Sequence, residues 1–233
     1  MTVITVSSPA SGGGIEVGQI VARELGLEYI DQEILVRTAR SLAVSIEEVA
    51  LRDERVPHPG VGRLAHLLQT FLERSAAAGA WDPTAGPTGL EQVLSRSYAE
   101  AAALPPGGLD DRTYIRTLSS IVEEIASQRA VLIVGRGGQV ILKDAPSSLH
   151  VLTLAPKSVR ASRLAQRDGI SEEEAMKRIT DLDRSRADFH HKYFKVNADD
   201  PSLYDLVVDS NKFSFEAAAK LVVAAVKLIT VPA

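Results

Sequence analysis

The chain has 233 residues, 45% of them hydrophobic and 24% charged, enough apolar material for one large domain with a real core. A formal net charge of −4 argues against general DNA or RNA binding, and the absence of cysteine excludes disulfides, zinc–thiolate sites and thiol nucleophiles together. No basic segment precedes an apolar run at the N-terminus, and the longest apolar stretch, near the C-terminus, is broken by Lys220 and Lys227. A soluble, cytoplasmic protein with neither a secretory signal nor a membrane span is therefore expected.

In chain order, the β-branched run Val3–Ser7 predicts a first strand, followed by the glycine-rich turn Ser8 to Gly14. A helix is predicted from about Ile15 to Leu25, with Val17, Ile20, Val21 and Leu25 on one face, and a short strand at Glu28–Ile30. Ser45 and Glu48 form a capping-box pattern for another helix. Between Asp31 and Asp111 no strand pattern stands out. Helical stretches there are broken by Pro57-His58-Pro59-Gly60, by residues 79–89 and by Pro105-Pro106-Gly107-Gly108, which reads as a helical insertion. Strands return at Val131–Val134, His150–Leu154 and Leu206–Asp209. Ser171 with Glu174 caps a helix running towards Asp188, and a last helix follows Ser214 and ends near Ile229.

Most of these strands lack polar alternation, as parallel strands buried on both faces do, and helices separate them. That order predicts a three-layer α/β fold with a five-stranded parallel sheet. Ligands in such sheets bind beyond the carboxyl ends of the strands. Residues Ser7–Gly14, Gly135–Gln139 and Ser210–Phe213 follow strands and belong to that edge.

The turn Ser11-Gly12-Gly13-Gly14 between a strand and a helix N-terminus suits a phosphate, because unobstructed N–H groups and the helix dipole both favour an anion. Aligned by its second glycine with G-x-x-x-x-G-K-[ST], the chain has Ser8, Gly13, Gly14 and Ile15 at the defining positions. The phosphate-neutralising lysine is thus a glycine, and the magnesium-binding hydroxyl an isoleucine. Arg136, in Gly135-Arg136-Gly137-Gly138, has the geometry for a bidentate grip on phosphate. Arg160, Arg163 and Arg167 share one helix face, either for an anion or for solvent. Further on, Asp181 with Arg184 and Asp183 with Arg186 have the spacing of helical ion pairs, and an aromatic and basic run, Phe189 to Lys195, follows. His190 and His191 diverge on a helix and lack a third ligand, so no metal site is expected.

These segments resemble the cytidylate kinase-like family, a divergent branch of the P-loop nucleoside monophosphate kinases. The resemblance covers roughly Val3–Leu35 and Val131–Leu228 and rests on "SGGGIEVG", "YIDQEIL", "IVGRGG" and, from Ala187, "ADFHHKYFKVNADDPSLYDLVVDS"; the middle, Val36 to Asp111, is not matched. It implies a P-loop NTPase-like core (1–31 and 112–233) with a helical acceptor-binding insertion (about 32–111) and a lid (about 181–200). It implies that Ser11, Gly12, Gly13 and Gly14 hold the phosphates of ATP, that Arg160 and Arg163 contact the donor, and that Asp31, Arg136 and Gly137 belong to the acceptor site. Asp183, Arg184 and Arg186 fall in the lid around the transferred group. Two positions depart from cytidylate kinases proper: Gly14 replaces the loop lysine, and Gly137 replaces an aspartate that helps hold the acceptor.

The leading expectation is a magnesium-dependent kinase moving a phosphoryl group from ATP to a pyrimidine nucleoside monophosphate such as CMP. Arg184, Arg186 and Lys192 would replace the absent lysine, and Asp209 would help order Mg2+. Gly14 and Ile15 motivate an alternative, a nucleotide-binding regulatory or assembly protein without transfer. The unmatched insertion motivates a third, a kinase for another small acceptor. Small nucleotides are the expected partners, with no nucleic acid or membrane; the apolar C-terminal helix and the insertion could serve a homodimer.

Overall fold

The computed structural model describes residues 2–44, 46–55 and 109–229. Two compact units divide the chain: Met1–Asp31, Glu54–Pro57 and Val122–Ala233 form the first, Gln32–Asp53 and His58–Ile121 the second. The predicted features at Pro57 to Gly60, residues 79–89, Pro105 to Gly108 and Ser45 lie outside the described residues.

The first unit contains five strands, β1 (Val3–Ser7), β2 (Glu28–Ile30), β3 (Val131–Val134), β4 (Ser148–Leu154) and β5 (Leu206–Asp209). They form one parallel sheet in the order β2-β3-β1-β4-β5. β1 and β3 are buried at every residue, which is why their sequences carry no polar alternation. β4 starts two residues earlier than its sequence suggests. Ser148 and Leu149 are drawn into the ladder because they lie in register with Val3 and Ile4 of β1.

Helices cover the sheet: α1 (Gly14–Leu25), α5 (Gly138–Ile141), α6 (Lys157–Asp168), α7 (Glu172–Phe194) and α8 (Phe215–Leu228). On one face Ile4, Val6, Leu132, Val134, Val151 and Val208 meet Val17 and Val21 of α1 and Ala218, Val222 and Val223 of α8. Each such buried valine or leucine contributes roughly 1.5–3 kcal/mol. The capping residues act as the sequence predicts: Ser171 Oγ accepts the Glu174 N–H at 3.2 Å, and Ser214 Oγ accepts that of Ala217 at 3.2 Å. α7 runs past Asp188 to Phe194, because Phe189 and His190 are buried and their packing carries the helix beyond its charged stretch. In the second unit the described elements are α2 (Glu33–Leu42) and α3 (Ile46–Ala50); α4 (Asp111–Gln128) runs from that unit into the first. Among the described residues no helix is long and apolar enough to cross a membrane.

By the period of two, Thr5 and His150 share the sheet face opposite Ile4 and Val6, and they are partners in register. His150 Nδ1 lies 2.8 Å from Thr5 Oγ1 and Nε2 lies 3.2 Å from Ser148 Oγ. Burial pushes the His150 pKa down, against the pull of Asp205 and the Leu142 carbonyl, so the folded ring stays neutral where an unfolded one takes a proton. Stability is therefore lost as pH falls below the ordinary imidazole range, about 6.5. We expect the melting temperature to drop between about pH 8 and about pH 5.5, and to drop less in His150→Gln, as followed by circular dichroism.

Candidate functional site

The loop after β1 is built for tight packing. Ser11 and Gly13 have left-handed backbones (φ 56° and 92°), and the Gly12 N–H donates to Pro9 O at 2.9 Å. α1 begins at Gly14, and its N-cap residue, Gly13, offers no side chain to cap the first amides of the helix. Substituents at these glycines would collide with the protein itself. A Cβ on Gly13 would lie 2.8 Å from the Phe215 ring, and one on Gly14 2.6 Å from Ser8 Oγ and 2.9 Å from Ser8 Cβ. At the position where a lysine would leave the loop, the Ser8 side chain already stands.

Two arginines of α6 hold this loop. Arg160, buried to 6% exposure, makes a two-pronged pair with Asp183 of α7 (3.0 and 2.9 Å) and donates to Ala10 O at 3.0 Å; Asp183 Oδ1 in turn accepts the Ala10 N–H at 3.2 Å. Arg163 donates to Ser210 Oγ (2.9 Å) and Ser210 O (2.6 Å), and Ser210 Oγ donates to Gly12 O at 2.9 Å. The Arg163 guanidinium also lies 5.0 Å from the centre of the Phe215 ring. Arg167, on the same helix face, pairs among the described residues only with its neighbour Asp168 and is exposed.

The helical pairs expected within α7 do not form as spaced. Asp183 reaches across to Arg160, and Arg186 pairs with Asp199 at 2.6 Å. Cross-element partners prevail because residues 183 and 186 face different neighbours, and a two-pronged carboxylate–guanidinium pair outweighs an exposed i,i+3 contact. Arg186 also donates to Ser7 Oγ and Ala198 O, each at 3.0 Å, and its Nε is buried without a hydrogen-bond partner among the described residues. Arg184 and Lys192 are exposed; Arg184 lies on the opposite helix face from Arg186, so the three do not gather as one cluster. Asp209 Oδ1 accepts the Asn211 N–H at 2.8 Å.

At the end of β3, three successive residues are left-handed: Gly135 (φ 73°), Arg136 (φ 55°) and Gly137 (φ 70°). The Arg136 side chain is 1% exposed and donates to Asp31 Oδ1 at 2.8 Å; Arg55 donates to the same oxygen at 2.6 Å. The predicted acceptor residues Asp31 and Arg136 therefore meet, as an ion pair. Gly137 lies under the Phe194 ring, so that any Cβ there would overlap it. Glu54 Oε1 accepts the Arg136 N–H at 2.7 Å, and Glu54 Oε2 lies 3.7 Å from His190 Nδ1. Burial would raise the Glu54 pKa, but the facing N–H edge of His190, the charges of Arg55 and Arg186 and the Arg136 N–H outweigh it and hold the carboxyl below its ordinary range. Burial pushes His190 down despite Glu54 and the Arg186 carbonyl. The neutral ring then donates from Nδ1 to Arg186 O (2.9 Å) and accepts at Nε2 from Gln139 (3.1 Å).

Sequence reasoning missed Glu54, Arg55 and Asp199. The first two lie in a stretch read as helical insertion, and no local spacing relates either to Arg136, 81 or more residues away along the chain by their numbering. The adjacent acid–base pair Glu54-Arg55 is the only signal, and it is common on solvated surfaces.

The cytidylate kinase-like family model matches residues 3–212, including the middle segment that the sequence motifs leave unmatched. The cytidylate kinase of Methanocaldococcus jannaschii is 31% identical over 105 residues, 44% of this chain and 59% of that protein. That of Pyrococcus abyssi is 35% identical over 103 residues, 44% of this chain and 56% of that protein. The chain thus spans less than two thirds of the length of these relatives. In fold, an uncharacterized protein from Eubacterium ventriosum superposes with a TM-score of 0.63 at 16% identity, over 98% of this chain and 100% of that one. With a five-stranded parallel sheet, a glycine loop closing on α1 and a family match over nearly its whole length, the chain belongs to the cytidylate kinase-like family.

Proposed function

We propose that this protein transfers the γ-phosphoryl group of ATP to a nucleoside monophosphate, a pyrimidine nucleotide such as CMP. The observation that carries this reading is Arg186, a buried guanidinium brought from α7 to Ser7 Oγ at the foot of a glycine loop that has no lysine. Phosphoryl transfer depends on positioned positive charge more than on covalent chemistry. Loop amides would hold the donor phosphates, with Arg160 and Arg163 keeping the loop in shape. Arg136 and Arg55 would take the acceptor's phosphate in exchange for Asp31, and Gly137 would line that side. An acceptor phosphate oxygen attacks the γ-phosphorus, the bond to the bridging oxygen breaks, and ADP leaves. Arg186, with Arg184 and Lys192 contributing from the exposed side of α7, would stabilise the charge on the group in flight.

The described residues offer no ready-made cage for a magnesium ion. Ile15 stands at the hydroxyl position, Asp183 is engaged by Arg160, and no three carboxylate or imidazole groups converge among the described residues. Magnesium would travel with the nucleotide phosphates, which commonly supply its ligands along with water.

Phosphorus NMR of the protein with ATP, Mg2+ and a panel of nucleoside monophosphates is expected to show ADP and one new diphosphate. Arg186→Ala should lower kcat by about 10²–10³-fold with the fold intact. ATP binding without any product, at high protein concentration over hours, would instead support a nucleotide-binding regulator. Gly14→Lys alone should gain no turnover and cost about 1–3 kcal/mol by forcing Ser8 aside, whereas Ser8→Gly/Gly14→Lys should recover most of that in chemical denaturation. Gly137→Asp should likewise cost about 1–3 kcal/mol, because it adds a side chain at positive φ beneath Phe194, and should not tighten CMP binding by calorimetry.

A further inference from the structure

Glu54 takes no part in the transfer described above, yet it is among the most buried charged groups, at 4% exposure. Its Oε1 accepts the Arg136 N–H at 2.7 Å and fills the space above Gly135, where a Cβ would overlap it. Arg136 is left-handed between two left-handed glycines, a conformation that a non-glycine residue keeps only when its surroundings impose it. Glu54 Oε2 is buried without a hydrogen-bond partner among the described residues and faces His190 Nδ1 at 3.7 Å. His190, fully buried, holds the Arg186 carbonyl on one side and Gln139 on the other. From its own segment Arg55 adds a neighbouring positive charge, and from α7 Arg186 adds another.

We propose that Glu54 is a positioning residue that sets the acceptor arginine: its ionised carboxylate imposes the left-handed turn at Arg136 and joins that turn to the His190–Arg186 stretch of α7. One buried charge then fixes the arginine that grips the acceptor and borders the backbone of Arg186, which acts on the group in flight and not on the binding of ATP. The kinetic consequence rests on the transfer reading above; the backbone consequence does not.

The isosteric variant Glu54→Gln removes the charge and turns an amide donor towards the His190 N–H, while Glu54→Asp keeps the charge one methylene short. Two readouts separate the claims: exchange of the Arg136 amide by NMR, and KM for acceptor and ATP measured separately. In Glu54→Gln the Arg136 amide should exchange at least about tenfold faster, and acceptor KM should rise about tenfold or more with ATP KM within about twofold. Glu54→Asp should fall between Glu54→Gln and wild type in both, and it decides the question by the same readouts if Glu54→Gln does not fold. Unchanged Arg136 exchange in the variants, or an equal rise of both KM values, overturns the proposal. If wild type transfers no phosphate, the kinase reading fails and the amide exchange alone decides the role of Glu54.

Discussion

A glycine loop without a lysine still needs a defined shape, and here the Arg160–Asp183 pair supplies it. Asp183 takes the Ala10 N–H while Arg160 takes the Ala10 carbonyl, so both polar groups of one loop residue are held by a single part-buried ion pair. Charges at low exposure are costly to leave unpaired, which makes the pair and the loop mutually dependent. Ser210, bonded to Gly12 O and held by Arg163, fixes the loop from the end of β5. The loop conformation is thereby set by α6, α7 and β5 together, and not by its glycines alone.

The two departures from cytidylate kinases proper are filled positions. Ser8 occupies the space a side chain on Gly14 would need, and Phe194 covers Gly137. Each lost marker has a steric counterpart elsewhere in the chain, so changing one residue of such a pair disturbs the other. Phe194 belongs to an aromatic group with Phe189 and His190, with ring centres 5.8 and 6.1 Å from its own. The basic and aromatic run from Phe189 to Lys195 is thus partly a packing element.

The arginines proposed to meet phosphates rest on carboxylates: Arg136 and Arg55 on Asp31, Arg186 on Asp199. A carboxylate offers a guanidinium the same planar, anionic acceptor geometry that a phosphate does. Such pairs keep the guanidiniums oriented without ligand, and a phosphate group would exchange for the carboxylate at modest net cost. Asp199 is over half exposed, so its pair with Arg186 is the more easily opened of these.

Much of the architecture was legible along the chain. Four strands have the bounds their apolar runs suggest, and the serine caps at 171 and 214 act as their spacing implies, because strand burial and helix capping are local properties of a few adjacent residues. The absent lysine, the glycine turn and the family motifs were equally visible. What the chain alone did not reveal is which charges face each other: Asp183 with Arg160, Arg186 with Asp199, and Glu54 with the Arg136 turn. Those pairings depend on how α6, α7 and the strand ends come together, and an i,i+3 spacing carries too little energy to hold a guanidinium against a better-placed carboxylate from another element. Sequence determined the sheet, its caps and the glycine loop after β1; tertiary packing alone decided which side chains keep that loop in shape.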